Sequence, residues 1–234
     1  MIFIGIPFLN RVDLLEECVS RFDADCEVFV INNGEESVDN LVKFCSKNKF
    51  IKKFEICQER HNLGVSASWN KILRKGFRKK YTDVFIGSND TFLSPTSLDK
   101  AKEILSSNKK ALKINLCGNN FFIIRKELIE EIGWFDENFY PAYNEDQDFE
   151  YRMRLAGLGK QILFDIGVKA VHRGSQTIFS NMHYFRQNKH THQLNIQYYI
   201  EKWGGIAGSE TYDKPFNGEA FKKRDKSDLR WRPR

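Results

Sequence analysis

Three carboxylates fall within four residues, at Glu145, Asp146 and Asp148, and their neighbours decide what they can do. Asn144 stands before them as a candidate helix cap and Gly157 after them as a stop. Phe149, Met153 and Ala156 recur at i, i+4 and i+7, so a helix is expected with the carboxylates in its first turn. The free N–H groups and positive dipole end of a first turn favour the ionised carboxylate, the form a general base needs. Acidic residues are also common in first turns for purely structural reasons, so the rest of the chain has to decide. Ser88-Asn89-Asp90 ends one apolar run and His172 ends another. Asp90 offers a hard oxygen and His172 a nitrogen, a pair suited to a divalent cation whose remaining positions a diphosphate would fill. There is no G-x-G-x-x-G after the first apolar run, no Walker motif and no G-x-S-x-G elbow. A phosphate-handling site built from loops, a metal and a base is what remains.

The elements that must position these residues follow from periodicity. Short β-branched or aromatic runs predict strands at 2–6, 27–31, 54–57 and 83–87, each followed by a polar loop. Between them, helical stripes run through Leu15, Cys18, Val19 and Phe22, through Val38, Leu41, Val42 and Cys45, and from about Val65 to Phe77. Strands alternating with helices at this spacing call for an α/β fold with a mostly parallel sheet flanked by helices, and ligands in such sheets bind beyond the carboxyl ends of the strands. Those ends are residues 7–10, 32–34, 62–64 and 88–90. The second part of the chain predicts a helix over 97–105, a strand over 119–125, a short helix over 126–132, the acidic helix, strands at 162–165 and 168–172, and a terminal helix over 194–203. No internal repeat is visible.

Composition bounds the reading without deciding it. The 234 residues, 41% hydrophobic and 29% charged, suit a soluble globular protein, and no stretch reaches the length of about 18 apolar residues that a membrane span needs. MIFIGIPFLN reads as a first strand, not as a signal peptide. Five scattered cysteines with no C-x-x-C pair suggest reduced thiols in a cytoplasmic protein, with neither a disulfide framework nor a zinc site. The net charge of +6 is concentrated in Lys71–Lys80 and in a tail from Phe221 to Arg234, read as a solvated helix face and a flexible end. A nucleic acid or another polyanion is the alternative partner for these runs.

Six motifs in order carry a family resemblance. Ile6-Pro7 with Asn10, Val30 to Gly34, Asn62-Leu63-Gly64 with Asn70, Ser88-Asn89-Asp90, Glu145-Asp146 and His172 together resemble the GT-A-fold, family 2 type of inverting glycosyltransferase. Phe122 to Phe135 is similar to that family's segment leading to the acceptor site, and Tyr198 to Gly205 to a C-terminal helix of some members. The resemblance implies one GT-A domain over 1–205, with a nucleotide half at 1–90, an acceptor half at 91–205, a small C-terminal helical extension and a basic tail at 206–234. It implies a nucleoside-diphosphate-sugar donor, a UDP-sugar first, and a hydroxyl of a glycan or glycoconjugate as acceptor, a modified nucleic-acid base being the alternative. Pro7, Asn10, Asn32 and Asn33 would line the nucleobase and ribose pocket, with Asn62, Gly64, Ser88 and Asn89 near the nucleotide. Asp90 and His172 would hold Mn2+ or Mg2+. Asp146 would be the base, with Glu145 orienting the acceptor or the base, and Asp148 the base if the register differs. Two departures stand out: Ser88 replaces the first carboxylate of the family's D-x-D, and Asn32-Asn33 stands where many relatives have Asp. The first of these also leaves open an idle GT-A-like binding module.

Overall fold

The computed structural model of the chain describes residues 1–164, 166–174, 176–179, 181–221 and 224. In chain order the elements are β1 (Ile2–Phe8), α1 (Val12–Ser20), β2 (Cys26–Asn32), α2 (Asp39–Cys45), β3 (Ile51–Gln58), α3 (Val65–Arg78), β4 (Asp83–Gly87), β5 (Thr91–Leu93), α4 (Ser97–Ser107), β6 (Lys113–Cys117), β7 (Phe121–Arg125), α5 (Lys126–Ile132), α6 (Glu145–Leu155), β8 (Ile162–Leu163), β9 (Ala170–His172), α7 (Gln176–Phe179) and α8 (Met182–Trp203). Seven strands form a central sheet in the order β3-β2-β1-β4-β7-β6-β8, and β5 pairs with β9 in a small second sheet. The run β3-β2-β1-β4 is parallel, as its strand–helix alternation demands, while β7 enters antiparallel to both β4 and β6.

Alternation along β1 sorts the core into two layers. Ile2, Ile4, Ile6 and Phe8 point into one cluster with Leu14, Leu15 and Cys18 of α1, Leu41 of α2 and Leu98 and Ala101 of α4. Phe3 points the other way, into a cluster with Trp69, Ile72 and Leu73 of α3 and Phe149 and Met153 of α6. The sheet is thus covered on both faces, which is why the central strand β1 is apolar throughout, while the edge strand β3 carries Lys52, Lys53 and Glu55. Gly5 lets α3 lie close to β1: a Cβ there would come within 2.1 Å of Ile72 Cγ2.

A third cluster, Phe139, Tyr198, Tyr199 and Trp203, docks α8 beside α6, and a buried ion network runs through it. Lys202 Nζ lies 2.7 Å from Asp136 Oδ2 and 2.5 Å from Asp148 Oδ1. Trp203 Nε1 also donates to Asp148 Oδ1 (2.9 Å), and Arg152 Nε to Asp148 Oδ2 (3.0 Å). Burial alone would push the Asp136 carboxyl up, but Lys202 and the hydrogen bonds from Asn138 N–H and Tyr198 hydroxyl outweigh it and hold it below the usual carboxylate range.

Several elements depart from the sequence expectations. β5 and β6 were not expected: β5 is three residues long, and the polar Lys113 and Asn115 break the apolar run of β6. β7 starts at Phe121 and not at Asn119, because Asn119 and Asn120 turn the chain out of β6. α8 begins twelve residues before the predicted 194. Ala156, expected on the buried face of the acidic helix, is exposed at its end. Residues 206–221, expected in a flexible tail, pack back on the domain: Tyr151 hydroxyl donates to Tyr212 O (3.0 Å), Tyr199 hydroxyl to Glu210 Oε1 (2.5 Å), and Phe216 lies against Tyr198. Asp165 of the predicted strand and residues 222, 223 and 225–234 of the tail lie outside the described residues. The basic run 71–80 is mostly neutralised: Lys71 pairs with Glu59, Lys75 with Glu55, Lys79 with Glu27 and Arg74 with Glu137. Among the described residues no helix is long and apolar enough to cross a membrane.

Lys202→Met leaves two buried carboxylates without their shared cation, so it is expected to destabilise the fold by about 3–5 kcal/mol. Urea unfolding checks this as a lowered midpoint at constant slope. A loss below about 1 kcal/mol, the range of an exposed pair, would show that the network does not hold α8 in place.

Candidate active site

The loops beyond the carboxyl ends of β1, β2 and β4 open into a cavity of about 330 Å3. Its walls take Pro7 and Leu9 from the end of β1, Asn33 from β2 and Ser88, Asn89 and Asp90 from β4. Asn62 and Gly64 precede α3, Asn119 and Asn120 form the β6–β7 turn, and Tyr143, Glu145 and Asp146 open α6. His172 comes from β9, and Tyr184, Gln187 and Asn188 from α8. Gly64 is required by its backbone: at φ 80° it lies in the left-handed region, and a Cβ would meet Tyr140 Cδ2 at 2.8 Å and Pro141 O at 2.9 Å. Val65 N–H donates to Pro141 O (2.7 Å), which fastens the start of α3 to the loop before α6.

His172 reaches Asp90 through sheet pairing. In the β5–β9 ladder Thr91 lies opposite His172, which sets His172 Nε2 3.2 Å from Asp90 Oδ1. Ser88 Oγ donates to the same oxygen (2.8 Å). Burial would raise the Asp90 carboxyl, yet the His172 and Ser88 hydrogen bonds outweigh it and keep the group below its ordinary value. Ser88, standing where a second carboxylate was looked for, is therefore a hydrogen-bond donor to Asp90. Among the described residues no three His, Cys, Asp or Glu side chains cluster as a metal site. One oxygen and one nitrogen are available from Asp90 and His172, so a cation held there would draw its other ligands from a bound phosphate.

The three carboxylates of α6 have three different environments. Asp148 is fully buried on the far side, both oxygens taken by Arg152, Lys202 and Trp203, and is not in the cavity wall. Asp146 is half-buried in the wall; its Oδ2 accepts from Asn119 Nδ2 (2.9 Å) and its Oδ1 from Gln147 N–H (2.9 Å). Glu145 is buried in the wall, and its Oε2 has no hydrogen-bond partner among the described residues. Burial and, after it, the charge of Asp146 push the Glu145 carboxyl well above the ordinary range. The expectation that a first turn favours ionised carboxylates is opposed at Glu145, because burial outweighs the backbone hydrogen bonds that would lower its carboxyl. Asn144 occupies the cap position with φ 71° but its side chain makes no capping bond; it donates to Gln147 Oε1 instead (2.6 Å).

Of the residues singled out in the sequence, Pro7, Asn33, Asn62, Gly64, Ser88, Asn89, Asp90, Glu145, Asp146 and His172 all line this one cavity. Asn10 and Asn32 do not. Asn10 offers its carbonyl to Asn89 Nδ2 (3.0 Å). Asn32 builds the turn after β2, donating to Gln58 Oε1 (2.8 Å) and accepting from Gly34 N–H (3.0 Å). Asn33 points inward, bonded to Ser68 Oγ (2.9 Å) and Leu63 N–H (3.1 Å). Sequence reasoning missed Asn119 and the α8 residues. The helical spacing of Tyr184, Gln187, Asn188 and Thr191 was the available signal, hidden because that stripe is polar.

No protein-family model matches the chain. A galactofuranosyl glycosyltransferase of Leishmania donovani is 35% identical over 119 residues, which cover 42% of this chain and 27% of that protein. The chain thus spans about a quarter of the length of this relative. Among solved structures, the mannosyltransferase PcManGT of Pyrobaculum calidifontis, in complex with GDP-Man and Mn2+, superposes with a TM-score of 0.57 at 14% identity, covering 83% of this chain and 62% of that one. GalNAc-T7, with UDP, GalNAc and Mn2+, gives 0.58 at 10% identity, covering 86% and 48%. The fold of the chain is the GT-A fold of glycosyltransferases.

The buried Glu145 makes a stability prediction. Its folded-state pKa is raised, so the folded protein binds a proton that the unfolded chain releases, and stability falls as pH rises above the unfolded value of about 4.3. Glu145→Gln removes this dependence. Unfolding at a series of pH values is expected to show the variant gaining on the parent protein as pH rises toward 7; a pH-independent difference would mean that Glu145 is ionised in the fold.

Proposed function

We propose that the chain is an inverting, family 2 type glycosyltransferase that moves a sugar from a nucleoside-diphosphate donor to a hydroxyl of a glycan or glycoconjugate. A UDP-sugar is the first candidate donor. The observation that carries this reading is the single cavity whose wall holds both the Asp90–His172 pair and Asp146, beyond the carboxyl ends of a parallel sheet. The glycosyltransferase relative and the nucleotide-sugar and Mn2+ complexes of the structural neighbours point the same way. The same reading makes 1–90 the donor half and 91–205 the acceptor half of one domain, and the five free cysteines fit a reducing cytoplasm.

Each residue has a task in this chemistry. Asn33, Asn62 and Gly64 hold the nucleotide, the last by close backbone approach. Asp90 and His172 would hold Mn2+ or Mg2+, which when bound neutralises charge on the departing nucleoside diphosphate. The Asp146 carboxylate accepts the proton of the acceptor hydroxyl as that oxygen bonds to the anomeric carbon. The bond to the diphosphate breaks on the opposite face, so configuration inverts. Glu145, buried beside Asp146 with its carboxyl pushed above the ordinary range, orients the acceptor or the base. A nucleic-acid acceptor draws little support from the run 71–80, whose cations are largely paired with Glu side chains.

A panel of nucleoside-diphosphate sugars with Mn2+ is expected to yield slow, metal-dependent hydrolysis of one donor. Asp146→Asn should then lower transfer by about 10²–10⁴-fold while donor affinity stays unchanged, as loss of a general base requires. A panel that shows no turnover and no metal-dependent donor binding would exclude the enzyme; full transfer by the variant would reassign the base.

A further inference from the structure

Behind Asp146 lies a charged group that this chemistry leaves without a task. Lys113, on β6, is only 1% exposed, a costly setting for an ammonium group unless it is fully paired. Its Nζ donates to Glu150 of α6 and to Asn119 Oδ1, the latter at 2.5 Å, and lies 5.5 Å from the centre of the Phe122 ring. Burial pulls the Lys113 ammonium down, while Glu150 and, more weakly, Asp146 act against that. An ammonium has three donors and no acceptor, so Asn119 can meet it only through its carbonyl oxygen. The amide nitrogen is then forced to the other side, where Nδ2 donates to Asp146 Oδ2 at 2.9 Å. The usual ambiguity of an asparagine amide is removed here by its lysine neighbour.

The turn that carries Asn119 is itself held in place. Gly118 takes φ 54° between β6 and β7, and Asn120 O accepts from Ser88 N–H at 2.7 Å. One turn therefore touches both the Asp90 loop and Asp146, and sets their relative placement.

We infer that Asn119 is a positioning residue for Asp146 and that Lys113 acts through it, fixing the orientation of the Asn119 amide so that its N–H always faces the carboxylate. The inference rests on Asp146 being the base. The bond holds the carboxylate in one orientation against the cavity wall, where an acceptor hydroxyl would meet it.

The test is a mutant cycle with two readouts. Asn119→Leu keeps the side-chain volume and removes the bond; kcat for transfer should fall about 10- to 100-fold, the scale of a small misplacement of a reacting group, with donor Kd unchanged. Lys113→Met with Glu150→Gln removes both members of the ion pair, so neither is left buried alone, and should lower kcat by a similar factor. Adding Asn119→Leu to that pair should cost nothing more than Asn119→Leu alone, because the two act on one bond. Multiplying losses, or full kcat in Asn119→Leu, would overturn the inference. The second readout needs no turnover: the Asn119 side-chain NH2, followed by 15N NMR, should be protected from solvent exchange in the parent protein. It should lose that protection in Asp146→Ala and in Lys113→Met/Glu150→Gln. An unprotected amide in the parent overturns the inference whatever the activity, whereas a protected amide in a protein that transfers no sugar, or that keeps transfer in Asp146→Asn, condemns the functional reading alone.

Discussion

One cation, Lys202, joins the parts of this molecule that sequence distance keeps apart. It is held between Asp148 of α6 and Asp136 of the preceding loop, with Trp203 and Arg152 completing the bonds to Asp148. A buried pair of this kind gains little over an apolar substitute, but once present it tolerates no missing partner. It therefore specifies where α8 lies and how α6 is rotated. That rotation puts Asp148 in the interior and leaves Glu145 and Asp146 in the cavity wall. Three carboxylates that look equivalent in sequence acquire three tasks from one docking event.

The loop between α5 and α6 is tied down by the same helix. Asn195 of α8, fully buried, donates to Ala142 O (2.8 Å) and Tyr140 O (3.2 Å), and its own oxygen accepts from Arg224 (3.0 Å). Tyr143 and Asn144 enter α6 with φ of 79° and 71°, a conformation that side chains rarely adopt and that surrounding bonds must sustain. From the other side, Asn70 of α3 holds Phe135 through both its amide and its carbonyl oxygen. Helices on either side of the α5–α6 loop thus grip its backbone, and the acidic end of α6 is presented on a firm support.

Electrostatics then separates the two carboxylates that remain in the wall. Glu145 is desolvated, and burial together with the charge of Asp146 pushes its carboxyl well above the ordinary range. Asp146, one residue on, is bonded through Asn119 to the buried charge of Lys113. Across the same cavity Asp90 keeps its charge through His172 and Ser88, in spite of burial. A carboxyl raised by burial thus sits beside the hydrogen-bonded Asp146, in the same cavity wall as the Asp90–His172 pair.

Local sequence determined what depends on short-range periodicity. β1 to β4, α3 and α6 were legible because apolar repeats and turn residues lie within a few positions of each other, and the polar residues at the strand ends identified the cavity because parallel sheets bind there. Asp90 and His172 were legible as two residue types at two strand ends, and the structure brings them together. Tertiary structure alone decided the rest. No local pattern marks β5, yet its three residues pair with β9 and bring His172 to Asp90. β6 was hidden by the buried Lys113, and with it the path from Lys113 through Asn119 to Asp146. Asn32 and Asn33 are neighbours of one type, and only the turn geometry sends one into the β2–β3 loop and the other into the cavity. The reason is physical: burial and partner choice are properties of the packed chain, and the charge state of Glu145 and the direction of Asp148 depend on both.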